Sequence, residues 1–187
     1  MTLYEMKRKY LSLIEELNPN SEQLTDDPDI AAKQNEVVNQ VMFEMCRMKK
    51  IARYTEIPVK KGQVMEFADI EKKVGNEIFQ IEKVCGVDFR FKANGTVLKF
   101  LEDGVAEIDC FVFPERITEK TKDKAYEFEL SNDVLEIMPY GIAADILMSD
   151  VSANYGKVYR EEFERKLQRL DSRSQMGSIF IDGGVSI

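Results

Sequence analysis

The sequence predicts an α+β protein, in which a discontinuous four-helix domain carries an inserted antiparallel β domain and ends in an extended C-terminal arm. Three observations predict this. Apolar residues recur at helical spacing near both ends of the chain, they alternate with charged residues in the middle, and they return as a short apolar run after the last helical pattern. Two amphipathic helices at either end bury too little alone, whereas all four can close round one core. The expected division is residues 1–54 with 131–175 as the helical domain, 55–130 as the β insertion and 176–187 as the arm.

The first helix opens at Thr2 and Glu5, which have capping-box spacing, and Leu3, Met6, Tyr10, Leu13, Ile14 and Leu17 make its apolar stripe. Asn18-Pro19-Asn20 stops it, and the polar stretch to Asp27 reads as a loop. Asp27 caps the second helix with Pro28 in its first turn; Ile30, Gln34, Val37, Val38, Val41, Met45, Met48 and Ile51 follow one face. Met42, Met45 and Met48 read as core filling in preference to an adaptable binding surface.

From Thr55 the period becomes two. Ile78 to Val84 reads as a strand, and Val87, Phe89 and Phe91 alternate with Asp88, Arg90 and Lys92. Ala93-Asn94-Gly95 turns the chain into Thr96 to Leu101, and Glu102-Asp103-Gly104 turns it into Val105 to Phe113. In that last strand Ala106, Ile108, Cys110 and Val112 share one face and Glu107 and Asp109 the other, so the expected topology is an antiparallel meander. Pro114 to Lys124, dense in charge, reads as a solvated loop, which in a ring protein could be one that projects.

Ser131 caps a third helix with Val134, Ile137 and Met138 inward, and Pro139 removes a backbone donor and predicts a kink before Ile142, Ile146 and Leu147. The last helix runs from about Ser152, with Tyr155, Tyr159, Phe163, Leu167 and Leu170 as its ridge. After the polar run Asp171 to Gln175 comes the apolar tail, where Ile179, Phe180, Ile181, Val185 and Ile187 are the candidate contact residues. A lone apolar strand satisfies neither its side chains nor its backbone in water, and adding it to a neighbouring sheet edge does both, so the tail reads as an assembly arm.

Composition narrows the function. A chain of 187 residues with 44% hydrophobic content can build one sizeable core or two small ones. The net charge of −8 disfavours a grip on nucleic-acid phosphates. The N-terminal residues lack the apolar core of a signal peptide and no stretch suits a membrane span, which predicts a protein made in the cytosol with no membrane partner. Cys46, Cys85 and Cys110 have no CxxC spacing and read as small buried hydrophobes. Histidine is absent, which removes Ser-His and Cys-His catalysis and histidine metal sites, and no phosphate-binding glycine loop is present. The expectation is no enzyme, no cofactor and no metal site.

Glu136-Ile137-Met138-Pro139-Tyr140-Gly141-Ile142-Ala143-Ala144-Asp145-Ile146-Leu147, with Asn154-Tyr155, Tyr159 and Leu167-Gln168-Arg169-Leu170, resembles the C-terminal helices of tailed-bacteriophage head-to-tail adaptors, also called connector, head-completion or neck proteins. The order of elements is similar to that of the tail-tubular adaptor of short-tailed phages. The resemblance implies a virion protein of the neck, between capsid and tail. It implies a homo-oligomeric ring of twelve copies docked on the portal protein and presenting a platform to the tail or tail-tube (nozzle) protein. DNA would pass through the lumen without specific binding, the arm would reach the portal, and the Pro139 kink would set helix angles at the subunit contact.

Two readings of other classes stand beside it. One is a peptide- or small-ligand-binding module whose pocket is built on Phe89 and Phe91. The other is an enzyme using Glu107 and Asp109, alternate residues of one strand about 6 to 7 Å apart. Two acids on the wet face of a strand read first as solvated charges.

Overall fold

The computed structural model describes residues 1–92, 95, 97–148 and 153–175. The arm with Ile179, Phe180, Ile181, Val185 and Ile187 lies outside the described residues, as do Ala93 and Asn94 of the expected turn and Ser152 at the expected start of the last helix. The fold is mixed α+β, with elements in the order α1 (Leu3–Leu13), α2 (Pro28–Met48), β1 (Ile51–Val59), β2 (Val64–Glu66), α3 (Phe67–Val74), β3 (Ile78–Cys85), β4 (Phe89–Lys92), β5 (Val97–Phe100), β6 (Gly104–Val112), α4 (Asn132–Met148) and α5 (Ala153–Gln175). It forms two compact units, residues 1–41 with 118–187, and residues 42–117. The division thus falls inside α2 and after Ile117, where the alternation of the sequence placed it at 54/55 and 130/131.

In the helical unit, α1 starts with the capping box that Thr2 and Glu5 predict: Thr2 Oγ1 accepts from the Glu5 N–H at 3.2 Å, and Glu5 Oε2 from the Thr2 N–H at 2.9 Å. Leu3, Met6, Tyr10 and Leu11 are buried. The helix ends at Leu13, a turn before the apolar stripe does, because the chain reverses through Glu15 at φ 62. Asp27 caps α2 as expected, its Oδ1 accepting from the Asp29 and Ile30 N–H groups at 2.8 and 3.1 Å.

Residues 118–130 belong to this unit because backbone bonds hold them along α1. Leu3 N–H donates to Tyr126, Tyr4 N–H to Asp123, and Phe128 N–H to Met1. The end of the segment read as a loop that could project, Lys122 to Lys124, is therefore tied down.

Helix α4 packs on α1 and α5. It runs unbroken through Pro139, correcting the expected interruption; burial on nearly every side holds it together where one intrahelical bond is missing. Gly141 and Gly156 let α4 and α5 approach closely: a Cβ on the first would lie 2.9 Å from the Phe163 ring, and on the second 2.9 Å from Met148. Phe163 and Leu170 are buried as the ridge predicts, but Tyr155 is 71% exposed. A 100° step per residue places Tyr155 off the side that Gly156 and Phe163 turn to α4.

The β unit corrects the meander. Its strands form two three-stranded sheets, β1-β6-β3 and β2-β5-β4, every pairing antiparallel. Only β4 and β5 pair as sequence neighbours. The nine residues of β6 match all nine of β1, from Ile51 opposite Val112 to Val59 opposite Gly104. A four-residue β5 could not cover such a strand. The chain leaves the first sheet at Gly86 (φ 82) and returns at Gly104, where only glycine fits: a Cβ on Gly86 would sit 2.4 Å from the Val105 carbonyl oxygen.

Three elements here were not expected, β1, the short β2 and α3. Ile51, read as part of the second helix, opens β1, an edge strand that tolerates Pro58. Helix α3 packs Ile70, Phe67 and Val74 into the β core and ends at Gly75 in the left-handed region, φ 85. Ala106, Ile108, Cys110 and Val112 are buried as the alternation predicts.

Candidate assembly site

The exposed side of α1 and the middle of α4 enclose an open cleft of about 740 Å³. The amphipathic pattern of α1 dictates its character. Residues between the buried positions, among them Arg8 and Lys9, face outward, while Leu13 and Leu17 at the chain reversal add apolar wall. Pro139 and Tyr140 of α4 complete the lining. Lys166 places its ammonium 4.6 Å from the Tyr140 ring centroid, and the Tyr159 hydroxyl donates to the Leu13 carbonyl, so α5 fixes both walls. The Glu5 carboxyl is held below the usual range, chiefly by its bond from the Thr2 backbone N–H.

Pro139, the one candidate site residue within the described residues, lies on this cleft and is buried against its own chain. Any influence on a subunit contact would act through the course of α4, since its ring is not presented to a partner.

The unit's buried charges are paired. Lys7, with a side chain 5% exposed, meets Asp123 at 2.9 Å. Arg160 of α5 pairs with Asp145 of α4. Burial pushes the Asp145 carboxyl up despite that arginine, and its Oδ2 is buried with no hydrogen-bond partner among the described residues. These pairs were not anticipated. One signal existed: Lys7 interrupts the apolar stripe at a position one turn after Leu3.

In the β unit, Glu107 lies across from Glu56, and Asp109 from Tyr54. Glu107 is exposed and Asp109 half-buried. No three Cys, Asp or Glu side chains gather as a metal site among the described residues. Phe89 and Phe91 meet edge to face at 5.4 Å, the first packed against the β core and the second 49% exposed. None of the helices described is long and apolar enough to cross a membrane. No protein-family model matches the chain, and no curated protein is significantly similar to it.

Proposed function

We propose that this chain is a structural virion protein, a subunit of a ring-shaped head-to-tail adaptor that docks on a phage portal and joins it to the tail. The observation that carries the reading is the order of its elements: two N-terminal helices, an antiparallel β unit and two C-terminal helices, with α1, the part of α2 up to Val41, α4 and α5 falling in one compact unit. The resemblance of Glu136 to Leu147 and of the α5 ridge to the C-terminal adaptor helices supports it. In this reading α1, α2, α4 and α5 form the discontinuous four-helix domain, which packs side by side in a ring of twelve. The arm, through Ile179, Phe180, Ile181, Val185 and Ile187, reaches the portal. The protein binds and does not catalyse, and its net charge of −8 suits a lumen that lets duplex DNA slide without adhering.

The test is assembly with and without the arm. A chain ended after Gln175 should keep the circular dichroism and melting temperature of the full chain but fail to join heads displaying the portal encoded beside it. Equal incorporation of both chains into heads removes the arm's role, and failure of the full chain to bind any portal removes the adaptor reading.

A further inference from the structure

In the β unit, the face of β1-β6-β3 turned away from the core carries opposite charges at its two ends. At one end Glu56 and Glu107 are direct cross-strand partners, with Asp109 two residues further along β6. Like charges directly opposed in a sheet are unfavourable. Lys83 lies beside Asp109 on β3 and offsets only part of this charge. At the other end Lys50 lies over Phe111 of this face at 4.4 Å, and just past the strand end two further exposed cations lie over adjoining rings, Arg47 over Phe113 at 5.4 Å and Arg116 over Phe43 of α2 at 5.1 Å, the two rings meeting at 4.9 Å. None of the three is ion-paired to a carboxylate among the described residues. Between the ends, opposite Asp109, Tyr54 is 54% exposed, while Val105, 46% exposed, lies beyond Glu107 at the acidic end.

We propose that this face docks on the same face of a second copy of the chain about a two-fold axis. The acidic and basic ends are about 13 Å apart along β6, four residues at strand rise. Because both lie on one face, setting one copy's acidic end on the other's basic end face to face also brings the remaining two ends together. The contact is therefore isologous and closes at two copies. Tyr54 supplies the aromatic centre of the contact, and the charges fix register and orientation. A nucleic acid laid along this face would gain from Arg47, Lys50 and Arg116 but meet Glu56, Glu107 and Asp109 within about half a helical turn, so a partner carrying the opposite pattern fits better. A three-stranded face nine residues long measures about 14 by 30 Å, at the small end of specific interfaces, so the dimer is expected to be weak. The inference does not rest on the virion reading.

Sedimentation of the full chain across about 1 to 100 μM tests it, at salt from about 0.05 to 0.5 M. The wild type should form dimers that dissociate at least tenfold more readily at the higher salt. Arg47→Glu/Lys50→Glu/Arg116→Glu and Glu56→Lys/Glu107→Lys/Asp109→Lys should each abolish self-association while keeping the wild-type circular dichroism. Mixed one to one, the two variants should form a heterodimer, since one face is then wholly negative and the other wholly positive. A wild type that stays monomeric at low salt overturns the proposal, as does an assembly unchanged in both variants or folded variants that fail to pair. Duplex DNA binding lost only in the first variant, without dimerisation in the wild type, would make the face a nucleic-acid surface instead.

Discussion

The helical unit and the β unit solve the same problem, a small core, by different means. The helical unit buries polar groups and pairs them: Lys7 with Asp123, Tyr10 with Gln34 at 2.9 Å, and the Lys33 ammonium with the Ile146 carbonyl at 3.0 Å. The core of the β unit is built from apolar side chains of both sheets and α3, with its carboxylates on the outer face. A backbone ladder fixes strand register by itself, since a one-residue slip turns every side chain over. Helices have no such ladder between them. Buried pairs and the glycine contacts at Gly141 and Gly156 supply the register that the helical backbone cannot.

The comparison breaks most readily in the two cores. Ile108→Ala, at a fully buried position in the central strand β6, should cost about 4 kcal/mol in chemical denaturation, from lost transfer energy and the cavity left behind. A cost below about 1 kcal/mol would mean that the β core repacks freely and is not what fixes that unit. Asp123→Ala should cost about 3 kcal/mol, since it leaves Lys7 buried without its counter-charge. Lys7→Met combined with Asp123→Leu should restore most of that loss while loosening the seating of residues 118–130, readable as faster amide exchange at Leu3 and Tyr4. If exchange there is unchanged, the pair contributes no specificity and the contrast between the units is overstated.

Smaller effects sharpen the comparison. Gly141→Ala should destabilise by about 1 to 2 kcal/mol despite alanine's better helix propensity, because its Cβ would push on the Phe163 ring. A stabilised variant would show that the α4–α5 spacing is not set at Gly141. On the outer sheet face, the Tyr54 hydroxyl donates to Glu56 at 2.7 Å, and this bond, with nearby acids, pushes its pKa up to about 12. The folded chain then holds that proton more tightly than the unfolded one. The stability due to the contact is present below pH 10 and is lost as pH rises towards 12. Absorbance titration of tyrosinate should show a late-titrating group that moves down in Glu56→Gln.

What the sequence made legible was local. The caps at Thr2 and Asp27 and the buried alternation of β6 follow from short-range chemistry and stand where the residues predict them. Pairing was not legible. β6 chooses β1, more than fifty residues earlier in the numbering, over its neighbour β5, and that choice depends on strand length and on the glycine crossing at Gly86 and Gly104. Ile51 fits the helical stripe of α2 by spacing alone, and only pairing with Val112 makes it a strand residue. Pro139 was legible as a missing donor but not as a buried wall of a cleft, because burial from both sides lets α4 continue through it. For the arm, the apolar run from Ser178 to Ile181 remains a reading of residues alone.

The pairing of β1 with β6 has a consequence for how such a chain can change over generations. Ile51 and Val112 are register partners, so the chain enters and leaves the strand-forming stretch with Cα atoms only about 5 Å apart. A stretch whose ends meet can be lost, replaced or exchanged for a foreign hairpin through one short splice. Residues 52–111 therefore have the geometry of a transplantable cassette, free to diversify while the flanking helices keep their own constraints.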